Sequence, residues 1–168
     1  MCSSDLIELT SAANNLQGKV NIIGGDVVVT NNTATTLGTT SALGKLTLTS
    51  TGAIQGTDVI NISGPVDLNA KGTSISLTNS KNQFGTVTLL GKDDVTLVED
   101  TGLTLGLVDA KSLALTSNKA EIAGAAKILV SGATSLTASK NVLLPALDNQ
   151  LSGLVSVTSA TEIGRAHV

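Results

Sequence analysis

The chain has 168 residues and a formal net charge of −3, with nine of its ten cations being lysine, and that balance argues against a nucleic-acid or anionic-membrane surface, which would need clustered Lys and Arg. Hydrophobic residues make up 41%, almost all of them Val, Ile, Leu and Ala, and Phe84 is the sole aromatic. Such a core suits many short strands in thin layers better than an enzyme core built on large rings, and a single cysteine excludes an internal disulfide framework.

The chain opens on MCSSDL and closes on EIGRAHV, and these tips hold its only Cys, Met, Arg and His (Cys2, Met1, Arg165, His167). Written as DNA, EIGRAH is GAG ATC GGA AGA GCA CAC. Its reverse complement, GTG TGC TCT TCC GAT CTC, translates to MCSSDL when GTG is read as a bacterial start codon. The two tips can therefore be encoded by the two strands of one DNA stretch, which resembles a short-read sequencing adapter. Met1–Leu6 and Glu162–Val168 are expected to be translated adapter flanking a coding insert, and so no part of the fold. The body, residues 7–161, then lacks Cys, His, Arg, Met, Trp and Tyr, which removes most catalytic options.

Along the body, short apolar alternations follow one another: VVVT at Val27, LTLT at Leu46, VDLN at Val66, VTLL at Val87 and VTLV at Val95. LALT at Leu113, SLTA at Ser135 and VSVT at Val155 continue the series. Each reads as a short strand of period two, and Gly, Asn, Asp or Ser clusters between them supply turns. No apolar run approaches a transmembrane span, and no basic region followed by a long apolar stretch marks a signal peptide.

A longer period overlies the short one. LTLTSTGAIQG from Leu46 matches LALTSNKAEIAG from Leu113, GPVDLNAKG from Gly64 matches GATSLTASK from Gly132, and the LG at Leu37 matches that at Leu105. NLQGKV from Asn15 matches NQFGTV from Asn82, and NQLSGLV from Asn149 begins a third copy. The offset in every case is about 67–68 residues, and its constancy over separate segments marks a duplicated unit. That unit is expected to comprise about three coils, each of about 20 residues. The expected fold is all-β: a right-handed parallel β-helix (β-solenoid) of seven or eight coils, a rod on the order of 35 Å long. A β-sandwich, the structural rival, rarely repeats so evenly.

KLTLTSTGAIQG, then GPVDLNAKGTSISLTNSKNQFGTVTLLGKDDVTLVEDTGLTLG, and the echo from Leu113 resemble the repeat region of filamentous-haemagglutinin-like exoproteins, which include two-partner-secretion adhesins. The middle element of that pattern stands here as ISLTNSKNQFGTVTLLG, with Gln83 where Asp is commoner. The resemblance covers nearly the whole body and rests on the ordered succession of low-complexity motifs. It implies a right-handed β-helical shaft, secreted or held at the bacterial cell surface and exported through an outer-membrane β-barrel partner. It also implies display of regions that bind host-cell glycans or proteins. The alternatives are an autotransporter passenger stalk and a carbohydrate-active β-helix enzyme.

Candidate sites reduce to bland roles. Asp93, Asp94, Glu99 and Asp100 form the densest charge and could offer oxygen ligands to Ca²⁺, but VTLV separates the two pairs by a strand, so solvated turn acids are expected. GGDV at Gly24 does not continue into a calcium-binding nonapeptide repeat. A lyase or hydrolase needs paired carboxylates or a base beside acids, and the body offers neither Arg nor His nor an aromatic platform; no enzyme is expected. Outward Thr positions vary too much for an ice-ordering array. Asn15, Asn82 and Asn149 are expected to be structural turns, the N-x-Ser/Thr matches at Asn31 and Asn61 to be chance, and Phe84 to pack in the core. No catalytic, cofactor-binding or metal residues, and no cofactor, are assigned.

Overall fold

In the computed structural model, residues 5–160 are described, and residues 1–4 and 161–168 lie outside that range. Of the adapter-like tips, only Asp5 and Leu6 fall within it, so that reading lies almost wholly outside the described residues. The Asp5 carbonyl accepts the Gly25 amide at 2.8 Å.

The described strands wind through about eight coils. The first holds β1 (Ile7–Leu9) and β2 (Lys19–Gly24), the second β3 (Val27–Asn31) and β4 (Thr35–Ala42). The third holds β5 (Leu46–Ser50), β6 (Ile54–Gly56) and β7 (Ile60–Ile62), the fourth β8 (Val66–Asn69) and β9 (Ile75–Leu77). The fifth holds β10 (Thr86–Leu90) and β11 (Asp94–Glu99), the sixth β12 (Leu103–Ala110) and β13 (Ser112–Ser117). The seventh holds β14 (Ile122–Gly124), β15 (Ile128–Val130) and β16 (Thr134–Ala138). The eighth holds β17 (Val142–Leu143), β18 (Gln150–Leu151) and β19 (Val155–Ser159).

Each coil contributes to two sheets, one running β1-β3-β5-β8-β10-β12-β14-β17 and the other β2-β4-β6-β9-β11-β13-β16-β19. Pairing is parallel, and one inward ladder shows the step: Thr35, Ile54, Ile75, Val95, Leu113, Thr134 and Val155 stand in register through successive coils. Inward side chains of both sheets, among them Val27, Leu48, Val66, Val87, Leu97 and Ile122, meet in one core cluster. This is a parallel β-solenoid with coils roughly 20 residues apart. Alternate residues face in and out, so each strand needs only every second residue to be apolar, and aliphatic Leu, Ile and Val side chains fill the narrow interior.

Sequence offsets alone suggest a long repeat of about three coils; the structure makes it three and a half. Strand β4 lies in one sheet, and β12, its counterpart in the long repeat, lies in the other. The path between them passes from one sheet to the other seven times, an odd number, so every element is carried to the opposite face. Both strands bear the same irregularity. In β4, Leu37 to Thr40 stands opposite Val20 to Ile22, and in β12, Leu105 to Val108 stands opposite Val87 to Leu89. Each is a bulge of one extra residue, at Gly38 and Gly106. The inward phase resets there, which lets one long strand bend around a corner of the solenoid.

Polar groups inside the core follow the same rule. Asn31 and Glu99, counterparts in the long repeat, end β3 and β11 fully buried, with Ser50 and Ser117 beside them in register. Asn31 Nδ2 donates to Ala34 O at 3.1 Å and Thr35 Oγ1 at 3.0 Å, while its Oδ1 accepts the Leu16 amide at 2.8 Å. Glu99 accepts from the Thr101 hydroxyl at 2.5 Å and from the Gly102 amide. Glu99 thus corrects the expectation of a solvated turn acid: the inward phase of β11 runs through Val95 and Leu97 and delivers residue 99 into the core.

Close stacking also dictates glycine at one corner. The Gly64 amide donates to Gly44 O at 3.0 Å. A Cβ on Gly64 would lie 2.5 Å from that oxygen, and one on Gly85 would run into Gly64 O in turn.

Candidate functional site

Three loops leave the sheets at equivalent points, each spanned by the pattern Leu-x-x-x-x-Asn: Leu9 to Asn14, Leu77 to Asn82 and Leu144 to Asn149. One hydrogen-bond frame closes all three. The asparagine Nδ2 donates to the leucine carbonyl five residues back, at 3.0 Å in the first loop, 3.4 Å in the second and 3.2 Å in the third. Its backbone amide donates to the residue three back, Ser11, Asn79 or Ala146. In the second and third loops Oδ1 reaches across to the preceding coil and accepts the Ile60 or Ile128 amide at 2.9 Å. In the first and second, Nδ2 reaches the following coil at Thr30 O or Val98 O, 3.1 and 3.2 Å away. One amide side chain can serve all these partners because it offers two donors and one acceptor oxygen.

The sequence alignment sets Asn15 beside Asn82, and the frame corrects this to Asn14. Val20 follows Asn14 at one position more than Val87 follows Asn82, and the inserted stretch contains Gly18 at φ +94°. Asn15 is exposed and accepts only from Gln17 and Thr33 side chains. Behind the asparagine, Phe84 is buried at the position that Leu16 and Leu151 occupy in the other copies, packed against the core as expected.

Between Leu and Asn the loops read TSAA, TNSK and PALD. The frame repeats and the tips differ. The tips stand on the outside, with Leu147 fully exposed.

The acidic stretch does not converge. Asp93 faces Lys111 at 3.9 Å, Asp94 accepts the Ser112 hydroxyl at 2.6 Å, Asp100 pairs with Lys119 at 2.7 Å, and Glu99 is buried. No three His, Cys, Asp or Glu gather as a metal site among the described residues. Asn31 is fully buried, so its N-x-Thr match is closed to modification in the fold, whereas Asn61 points outward from β7. Outward columns mix residue types, such as Ser76, Thr96, Ala114, Ser135 and Ser156. Cys2, Arg165 and His167 lie outside the described residues. Among the described residues, no helix is long and apolar enough to cross a membrane.

Comparison with known proteins finds no match among curated proteins and none among solved structures. The family described as "Repeats of unknown function (DUF5649)" matches twice in tandem, at residues 24–91 and 92–158. These two spans are the two copies that the half-turn transposition relates. The chain belongs to this family of repeats of unknown function.

Proposed function

We propose that the chain is a non-enzymatic shaft segment of a secreted or surface-exposed bacterial exoprotein of the filamentous-haemagglutinin-like kind. In this reading the stacked coils supply length and stiffness and hold binding regions away from the cell. The observation that carries it is the division of labour between the two family copies. Most inward residues correspond from copy to copy, as in Leu48 and Leu115 or Leu68 and Leu136, while most outward ones diverge, as in Asp67 and Ser135 or Lys71 and Ser139. What repeats is the scaffold. No gathered acid, base or nucleophile accompanies it in the described body.

The junction at residues 91 and 92 adds support, because β10 and β11 flank it and pair onward to β12 and β13 without a break. A shaft lengthens by adding such copies. Export through an outer-membrane β-barrel partner and contact with host glycans or proteins belong to the same proposal, on the resemblance given above.

The test is antibody raised against the loops at residues 78–82 and 145–149, applied to intact and lysed source cells. Labelling of intact cells or culture medium is expected; labelling only after lysis would overturn the reading. Incubating the purified chain with a panel of polysaccharides is expected to release no new reducing ends.

A further inference from the structure

On the flank where the β8 and β10 strands turn toward the other sheet, a cleft of about 360 Å³ is lined by Asn69, Lys71, Gly72, Leu90, Lys92 and Asp109. It straddles the boundary between the two family copies, with Lys71 in one and Lys92 and Asp109 in the other. Lys71 and Lys92 project from successive coils, linked by the Ala70 amide donating to Leu90 O at 3.1 Å. They are the only non-glycine residues with positive φ among those described, +48° and +61°.

A lysine in the left-handed region is disfavoured by its Cβ, and glycine would hold the same turn with less strain. Strained positions that persist side by side are a reason to look for a role of the side chains. The turns themselves do not need lysine. Lys71 and Gly72 sit in a turn closed by the Thr73 amide on Ala70 O at 3.1 Å and by the Lys71 amide on Asn69 Oδ1 at 3.0 Å. At Lys92, the amides of Gly91 and Lys92 both donate to Asp109 O, at 3.1 and 3.0 Å. Their counterparts in the other copy, Ser139 and Gly24, have ordinary φ, so the scaffold is built elsewhere without these conformations.

The charges are unbalanced. Lys71 and Lys92 rise from coils about 4.8 Å apart, and the one carboxylate lining the cleft, Asp109, lies 3.8 Å from Lys92 Nζ. The neighbouring Asp93 turns to Lys111 at 3.9 Å, and no ion pair to Lys71 exists among the described residues. Gly72 leaves the floor open, and Leu90 offers an apolar wall.

We propose that this cleft binds an oxyanion, a carboxylate or phosphate group on a small molecule or on a polymer of such units, with Lys71 and Lys92 as its ligands. The volume lies at the small end of ligand sites, and two lysines bind such a group as point charges. The proposal stands independently of the shaft reading.

The test is titration of the ¹⁵N-labelled full chain with inorganic phosphate, a uronic acid and a polyuronate at low ionic strength. Amide shifts centred on Lys71, Gly72 and Lys92 are expected with phosphate. The K71G/K92G variant is expected to melt at the same or a higher temperature and to bind at least about tenfold more weakly, while K45G leaves binding unchanged. Polyuronate tighter than the monomer identifies a polymeric source, and equal binding identifies a free oxyanion; either supports the site. Absence of shifts at these amides, or shifts retained in K71G/K92G, would overturn it. A fall in melting temperature in that variant together with unchanged binding would assign the lysines to the fold instead.

Discussion

Asn82 is the residue on which most of one loop depends. Its side chain holds the Ile60 amide, Leu77 O and Val98 O, which belong to three neighbouring coils, and it is fully buried. Asn82→Ala leaves those groups unpaired, and the expected loss is about 2–4 kcal/mol in urea unfolding. Asn15→Ala, at the position that sequence alignment favours, is expected to change stability by less than about 0.5 kcal/mol. Gly64→Ala places a methyl against Gly44 O and is expected to cost about 1–3 kcal/mol. The asparagine pattern is half legible in the chain. Asn82 and Asn149 stand at the right offset, but one inserted residue near Gly18 shifts the first copy, and only the hydrogen-bond frame identifies Asn14. Glu99 reads as a surface acid because charge normally is one; the inward phase of β11 is visible in Val95 and Leu97 and outweighs that rule.

Among elements, the strands with unbroken alternation are all legible: VVVT, LTLT, VDLN, VTLL, VTLV, LALT, SLTA and VSVT each fall within an observed strand. Those missed include β4 and β12, whose bulges at Gly38 and Gly106 break the period, β2, whose KVNIIG does not alternate, and strands of two or three residues such as β6, β7, β14, β15, β17 and β18, too short to show one. Periodicity also carries no sign of which sheet a strand joins. The central strand β11 pairs on both sides, with β9 and β13, so Leu97→Ala there is expected to cost about 2–5 kcal/mol by denaturant unfolding. Leu147→Ala, on an exposed loop tip, is expected to cost less than about 0.5 kcal/mol.

For the whole molecule, the half-turn transposition explains why a long repeat that is not a whole number of coils coexists with coils of even length. An odd number of sheet crossings moves each copy to the opposite face, so both sheets are built from the same sequence in alternation. The offset is legible in the chain, but residue counts alone do not tell three coils from three and a half. At one end of the described stack, inward positions Val155 and Val157 are 41% and 52% exposed, while β19 pairs only with β16. The isolated chain is expected to associate end to end, seen as concentration-dependent mass in analytical ultracentrifugation; a monomer stable to concentration would contradict this.

The most direct test of the transposed solenoid is a pair of spin-label distances in a chain whose Cys2 is replaced by Ser. Labels at Val28 and Thr88 lie on the same sheet, three coils apart, and labels at Val28 and Thr96 are repeat counterparts on opposite sheets. The first pair is expected at about 14 Å along the stack and the second at roughly 25–30 Å, across the lumen as well as along it. Two distances both below about 20 Å would place the counterparts on one face and contradict the half-turn repeat.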